Sequence, residues 1–164
     1  PLMVFIHGGY WRMLSKNESS FMAENMVDNG AAIAAVNYTL RPHATLDDIV
    51  AEVRRSISWL YHNGSDYDVD PERIYIAASS AGGHLASTLG THYQEAFYSA
   101  IDSTDSEEIR PDFMVLVYPV ISMDSNITHQ GSHDNLLGKK PLLIYLIFIL
   151  KLLVVLFLCI NLKN

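Results

Sequence analysis

The sequence predicts an α/β fold in which a mostly parallel sheet carries helices on both faces. Short, continuous apolar runs of strand length recur along the chain as far as Tyr118, as expected for strands that are buried on both sides. Segments with helical periodicity separate these runs. Alternation of this kind is typical of a parallel sheet, because each return to a parallel strand needs a crossover connection, usually a helix.

The first part of the chain supplies two strands and two helices. Strands are predicted over Leu2–Ile6 and Ala31–Val36, with a helix over Glu18–Asp28 between them. The next helix has the clearest signal, because Thr45 is a candidate N-cap with Asp48 three residues later. Its apolar residues recur at helical spacing on one face: Leu46, Ile49, Val50, Val53, Ile57 and Leu60.

The next part places a serine between a strand and a helix. A strand is predicted over Arg73–Ala77, a helix over Gly82–Tyr98 and a further strand over Phe113–Tyr118. In open parallel sheets the active site lies at the carboxyl ends of the strands. Three residues with functional side chains follow directly from predicted strand ends: His7, Tyr38 and Ser80.

Ser80 is the candidate nucleophile. A serine becomes reactive when a sharp strand-to-helix turn exposes its hydroxyl beside a base and backbone N–H donors. The G-x-S-x-G pattern of such turns needs small residues two positions before and after the serine. Ser80 has Ala78 and Gly82 at these positions, whereas Ser79 has no glycine at either. An ordinary turn with a surface serine is the alternative interpretation.

A glycine pair after the first strand supplies the second feature of the site. The run His7-Gly8-Gly9-Tyr10-Trp11 follows the first strand and lies upstream of Ser80. Glycines at a strand end let backbone N–H groups face a cavity without a side chain in the way. Donors fixed in this manner stabilise the oxyanion of an acyl-transfer transition state.

Five motifs together carry a resemblance to a known family. Residues 1 to about 93 resemble an α/β-hydrolase of the hormone-sensitive-lipase type, and specifically the kynurenine formamidase (arylformamidase) branch. The motifs are Phe5–Arg12, Asn37–Leu40, Asp47–Arg55, Asp70–Ile76 and Ser79–His84. A later stretch, Val117–Ser122 with Gly131–Gly138, is similar to acetylxylan-esterase-type hydrolases.

The resemblance implies a serine hydrolase that acts on small carboxylic esters or aryl formamides. Ser80 would attack the carbonyl carbon, and the backbone N–H groups of Gly8 or Gly9 and of Ala81 would hold the oxyanion. Tyr10 and Trp11 are candidates for lining the substrate pocket. Neither a metal nor an organic cofactor is implied.

A serine nucleophile of this kind works in a catalytic triad with a histidine base and an acidic residue that orients it. The sequence does not identify the acid and the base. In this fold the acid and then the histidine follow the serine along the chain, and the family's histidine would lie beyond residue 140. Asp124 with His129 or His133 is a minor alternative, and His84 is expected to pack against its neighbours. We therefore expect an incomplete domain without a full triad. A non-catalytic, membrane-tethered α/β-hydrolase-like scaffold or interaction domain is the alternative function.

The sequence divides into a partial hydrolase domain, residues 1–140, and a hydrophobic tail, residues 141–164. The stretch 142–162 has the length of a membrane span, ~20 residues, although Lys151 would cost about 2.5–3.5 kcal/mol at its centre. A shifted reading frame near Lys139–Leu142 and a buried helix are the alternatives. A genuine anchor predicts membrane association, and a frame artefact predicts a cytoplasmic protein.

Net charge and cysteine content limit which functions and structural features the sequence allows. The formal net charge of −7 argues against nucleic-acid binding, which needs a basic surface. The single cysteine, Cys159, cannot form an intrachain disulfide. The acidic stretch Asp102–Asp112 has no interleaved histidine at ligand spacing, so we expect a solvated loop there instead of a metal site.

Overall fold

The computed structural model describes residues 1–94, 98–106, 110–124 and 126–138. Four strands and four α-helices lie within these ranges, together with short 3-10 turns. In chain order the elements are β1 (Leu2–Ile6), α1 (Ala23–Asp28), β2 (Ala32–Val36), α2 (Leu46–Asn63), β3 (Ile74–Ser79), α3 (Ala81–Thr91), β4 (Phe113–Val117) and α4 (Gln130–Leu137). The tail predicted over residues 141–164 lies outside the described residues.

The four strands form one parallel sheet in the order β2-β1-β3-β4. Leu2 of β1 aligns with Ala32 of β2 on one side and with Ile74 of β3 on the other. Tyr75 of β3 aligns with Phe113 of β4. The predicted α/β class with a parallel sheet is therefore confirmed, and all four carboxyl ends meet at one edge of the sheet.

Helix α2 packs one apolar stripe into the core. Thr45 and Asp48 form a reciprocal capping box: the Asp48 N–H donates to the Thr45 hydroxyl at 3.2 Å, and the Thr45 N–H donates to the Asp48 carboxylate at 2.8 Å. The buried residues of the stripe are Leu46, Ile49, Val50, Val53 and Ile57. Each such side chain contributes about 1.5–3 kcal/mol on burial, so the stripe fixes α2 against the sheet.

Two helices are shorter than predicted. Helix α1 begins at Ala23; the residues before it form separate turns, in which the Ser19 N–H donates to the Lys16 carbonyl and the Ala23 N–H to the Ser20 carbonyl. Helix α3 ends at Thr91. The carbonyl groups of His92 and Tyr93 would serve as acceptors in a longer helix. Instead they accept hydrogen bonds from the guanidinium of Arg54.

Within the described ranges, none of the helices has both the length and the hydropathy needed to cross a membrane.

Candidate active site

Ser80 lies at the turn between β3 and α3 in a conformation that few residues adopt. Its φ is 52° and its ψ is −118°, and a positive φ at a non-glycine residue costs on the order of 1–3 kcal/mol. Its N–H donates to the Val117 carbonyl at 3.0 Å, and its carbonyl accepts from the N–H groups of Val120 at 3.1 Å and His84 at 3.2 Å. Its side chain makes no capping bond to α3, so the hydroxyl is available to a substrate.

The glycine two residues after the serine is required by packing. A Cβ on Gly82 would collide with the carbonyl oxygens of Ile6 and His7 at the end of β1. Ala78, at the other small position of the pattern, is fully buried with its methyl accommodated. The structure therefore accounts for both small residues that flank Ser80 in the sequence.

The loop after β1 turns tightly against the serine. Gly9 has a φ of +97°, and Tyr10 and Trp11 continue the turn with φ of 56° and 58°. The carbonyl of Gly9 accepts from the N–H of Arg12 at 2.9 Å, which closes the turn. A Cβ on Gly8 would lie 3.0 Å from the Cβ of Ser80. We call the strand-to-helix turn at Ser80 the elbow. The loop after β1 and the elbow are thus in direct contact at Gly8, where only glycine fits without displacement.

His7 and Tyr38 hold this loop in place. The two rings stack at a centroid separation of 4.4 Å and an interplanar angle of 14°, and His7 Nδ1 donates to the Gly8 carbonyl at 2.8 Å. The Tyr38 hydroxyl lies 3.0 Å from the carbonyl oxygens of both His7 and Gly8. Burial lowers the pKa of His7 and raises the pKa of Tyr38, so both side chains are neutral at pH 7.

This anchoring sets the direction of the loop's N–H groups. The C=O and N–H of a trans peptide point to opposite sides. The bonds to the carbonyls of His7 and Gly8 therefore leave the N–H groups of Gly8 and Gly9 on the side away from Tyr38. Ala81 is the first residue of α3, where the N–H has no acceptor within the helix. These three N–H groups are the ones predicted as oxyanion donors.

A pocket of about 330 Å³ adjoins Ser80. Its lining residues come from the loops after β1, β3 and β4 and from the start of α4: Tyr10, Ser80, Tyr118, Pro119, Val120, Ile121, Ser122, Ile127, Thr128, His129 and Ser132. Tyr10 lines it as predicted, with 41% of its surface exposed. Trp11 does not line it: the side chain is fully buried, with its ring perpendicular to that of His84 at 5.6 Å. The left-handed turn exposes the first aromatic residue and buries the second.

His84 fixes the wall of this pocket from behind. It is completely buried, and Nδ1 donates to the Val120 carbonyl at 2.9 Å. Burial lowers its pKa to about 4, so the ring is neutral at pH 7. Because the Val120 N–H in turn donates to the Ser80 carbonyl, His84 ties the segment after β4 to the elbow. It packs against its neighbours, in line with the sequence-based expectation.

The structure does not assemble the alternative triad from Asp124 and a downstream histidine. The Asp124 carboxylate accepts from the backbone and side-chain N–H groups of Asn126, each at 2.9 Å. His129 Nδ1 accepts from the Ser132 N–H at 3.2 Å, and His133 contacts Asp134 at 2.9 Å. Across the described residues, no carboxylate–histidine pair is hydrogen-bonded to the hydroxyl of Ser80.

A larger hollow of about 760 Å³ lies elsewhere, between β2 and α2. Two of its charged side chains have partners: the Glu52 carboxylate accepts from the N–H and hydroxyl of Thr39, and Arg55 pairs with Asp102 and Asp105. Ser80 does not line it. The smaller pocket is therefore the candidate active site.

The fold and the elbow define a member of the α/β-hydrolase superfamily. The structure is similar to the crystal structure of an acetyl ester-xyloside bifunctional hydrolase from Caldicellulosiruptor lactoaceticus. The TM-score is 0.81 at 29% sequence identity, over 92% of this chain and 55% of that chain. The predicted superfamily is thereby confirmed.

Within this superfamily the chain belongs to the BD-FAE family, whose model matches residues 1–144. It is 40% identical over 89 residues, 54% of the chain, to the kynurenine formamidase of Danio rerio. It is 32% identical over 139 residues, 84% of the chain, to the acetylxylan esterase of Xylanibacter ruminicola. The chain spans 29% and 26% of the lengths of these curated relatives. The relatives that match are named as a kynurenine formamidase and an acetylxylan esterase, the two kinds of hydrolase that the sequence was expected to resemble.

Proposed function

We propose that the protein containing this chain is a serine hydrolase that cleaves small carboxylic esters or aryl formamides, with Ser80 as its nucleophile. The observation that carries the proposal is the backbone of Ser80, which is held at a φ of 52° beside a pocket of about 330 Å³. Such a conformation persists only where the surrounding structure imposes it, and it is concentrated at functional sites.

The reaction begins with attack of the Ser80 oxygen on the carbonyl carbon, while a base accepts the hydroxyl proton. The carbonyl oxygen becomes an oxyanion held by N–H groups of Gly8 or Gly9 and of Ala81; one such donor is worth about 10²–10³-fold in rate. When this tetrahedral intermediate collapses, the carbon–oxygen bond of an ester or the carbon–nitrogen bond of a formamide breaks. The proton passes from the base to the departing alcohol or amine. Water then cleaves the acyl-serine and restores Ser80.

The acid and the base of the proposed reaction lie outside the described residues. His7 and His84 are buried, and burial lowers the pKa of both rings, which makes them weak bases. Among the described residues, neither is hydrogen-bonded to the Ser80 hydroxyl: their Nδ1 atoms bond to the carbonyls of Gly8 and Val120. The chain spans 29% and 26% of the lengths of two curated relatives, and we assign the acid and the base to residues other than those that form the elbow and the glycine loop. The proposed steps use backbone donors and side chains, with no cofactor.

The size of the pocket favours a small acyl group. A volume of about 330 Å³ is at the lower end of the range for ligand pockets, roughly 300–1,000 Å³. The formyl or acetyl groups handled by proteins named kynurenine formamidase and acetylxylan esterase are the smallest acyl groups. Tyr10 supplies an exposed aromatic wall beside Ser80, suited to an apolar or aryl part of the substrate.

A fluorophosphonate probe tests the nucleophile directly. We expect the probe to label the intact protein at Ser80 and Ser80→Ala to abolish the labelling. Ser79→Ala is the matched control, because it removes the neighbouring hydroxyl and is expected to keep the labelling. Hydrolysis of phenyl acetate and of formanilide then separates esterase from formamidase activity. Labelling that disappears with Ser79→Ala, or no labelling above background, would favour a different nucleophile or the non-catalytic scaffold.

A further inference from the structure

The start of α4 forms one wall of the pocket beside Ser80. Thr128, His129 and Ser132 line this wall, and Tyr10 lines the pocket with Ser80. His129 is the N-cap residue of α4, and its side chain is exposed. It is the residue with ring nitrogens on this wall, so the nitrogen that carries the N–H decides which hydrogen bond the wall offers to a substrate.

The contacts of His129 define which nitrogen carries the proton. Nδ1 accepts a hydrogen bond from the backbone N–H of Ser132 at 3.2 Å, and the Ser132 hydroxyl lies 3.1 Å from the same atom. A backbone N–H can only donate, so Nδ1 is the unprotonated nitrogen. A neutral imidazole has one N–H, and in His129 it is therefore at Nε2.

This tautomer makes His129 a donor and not a base. Its lone pair is used in capping α4, so a neutral ring has no free nitrogen to accept the Ser80 proton. The Nε2–H has no partner among the described residues. The ring is also confined by Tyr10, whose ring centroid is 5.5 Å away at an interplanar angle of 33°. The bond from Ser132 and the Tyr10 ring together restrict the position of the His129 ring, which lines the pocket.

We propose that His129 is a specificity-determining residue that donates from Nε2–H to an acceptor oxygen of the substrate, outside the scissile ester group. Substrates whose alcohol part carries an ether or hydroxyl oxygen are preferred over purely alkyl esters of the same size. The inference rests on the proposed function, because it takes Ser80 as the reacting group. It adds a residue that recognises the alcohol part of the substrate through a hydrogen bond.

The test compares two esters that differ by one atom. Butyl acetate and 2-methoxyethyl acetate have the same number of heavy atoms, and the second replaces a methylene by an ether oxygen. Binding is measured by NMR titration of the intact protein carrying Ser80→Ala, which prevents turnover. One net hydrogen bond of about 0.5–1.5 kcal/mol corresponds to about a twofold to tenfold preference for the methoxyethyl ester.

The variant His129→Asp isolates the donor. Aspartate is among the best N-cap residues and, when ionised, only accepts hydrogen bonds, so the cap of α4 is retained while the N–H donor is lost, and we expect the preference to fall to about one. His43→Asp is the matched control, since His43 is exposed and does not line this pocket; it is expected to retain the preference. An equal preference before and after His129→Asp would overturn the proposal.

A second measurement does not depend on any variant. The ¹⁵N shifts of the His129 ring at pH 8 report the tautomer, and we expect a protonated Nε2 with an unprotonated Nδ1. A protonated Nδ1 would overturn the proposal. The fluorophosphonate experiment separates the two proposals: selective binding without labelling of Ser80 supports the role of His129 and contradicts the hydrolase, whereas labelling without selective binding does the reverse.

Discussion

Replacing Gly8 by alanine tests whether the loop after β1 acts on Ser80 through its backbone. An ideal Cβ on Gly8 would lie 2.9 Å from the carbonyl oxygen of Ser79 and 3.0 Å from the Cβ of Ser80. Carbon atoms pack best at about 3.5–4.0 Å, so the loop and the elbow must separate by about 0.5–1 Å. We expect overpacking of this kind to cost about 1–3 kcal/mol in the free energy of unfolding.

The substitution should also slow the reaction of the protein that remains folded. A misplacement of about 1 Å at a reacting centre can cost about 10²-fold in rate, and loss of one oxyanion donor costs about 10²–10³-fold. We therefore expect kcat/KM for phenyl acetate, and the rate of fluorophosphonate labelling, to fall about 100-fold in Gly8→Ala. Urea unfolding of the same variant shows how much protein remains folded under the assay conditions.

Gly30→Ala is the control for this experiment. Gly30 has a φ of +76° and no neighbour within 4 Å of an added Cβ, so alanine is strained there by about 1–2 kcal/mol without a collision. It precedes β2, at the edge of the sheet opposite to Ser80. We expect a similar loss of stability and an unchanged kcat/KM. If Gly8→Ala keeps kcat/KM within about threefold of Gly30→Ala, less than 1 kcal/mol in the barrier, the oxyanion-loop argument is refuted.

Three further predictions concern the groups around the loop and the core. Tyr38→Phe keeps the ring that stacks on His7 but removes the hydroxyl donor from the His7 carbonyl and leaves the Gly8 carbonyl with only His7 Nδ1, so we expect the free energy of unfolding to fall by about 1–3 kcal/mol and labelling of Ser80 to slow; unchanged values in both assays would contradict the anchoring role. Thr45→Ala removes the cap of α2 and should lower the free energy of unfolding by about 1 kcal/mol while kcat/KM stays the same, and a loss of activity would show that α2 is coupled to the site. Burial lowers the pKa of His84 from its usual value of about 6.5 to about 4, so the unfolded chain binds its proton first as the pH falls. Stability contributed by neutral His84 is therefore complete above pH 6.5 and is lost as the pH drops toward 4, by about 3 kcal/mol in total. Urea unfolding at pH 7 and pH 4.5 should show a larger acid loss for wild type than for His84→Asn, and equal losses would contradict the assignment.

The sequence was sufficient to predict the parallel sheet and the sharp turn at Ser80. Apolar runs and the capping signal of α2 are local properties, and they locate elements without knowledge of the tertiary structure. The choice of Ser80 over Ser79 rested on the spacing of Gly82. The structure gives the physical reason for that glycine, since its first helical turn packs directly on the carbonyls that end β1.

The parts that sequence analysis missed depend on contacts between distant residues. The hydroxyl of Tyr38 reaches carbonyls about thirty positions away, and no local pattern indicates that pairing. Trp11 was expected at the pocket beside Tyr10, but two successive residues with positive φ bury one ring and expose the other. The tautomer of His129 likewise depends on where α4 begins, which composition alone did not locate.

The strain at Ser80 explains how the nucleophile can be organised separately from its acid and base. A positive φ at serine persists only if neighbouring groups impose it. Here they are the Val117 carbonyl, the Val120 N–H and the close packing at Gly82, and all of them belong to the described residues. The backbone donors predicted for the oxyanion are held by His7 and Tyr38 in the same part of the chain. In the proposed reaction, the geometry of attack is therefore determined by the ends of four strands, whereas proton transfer is assigned to residues outside the described ranges, so we expect substitutions in these two parts to affect different steps.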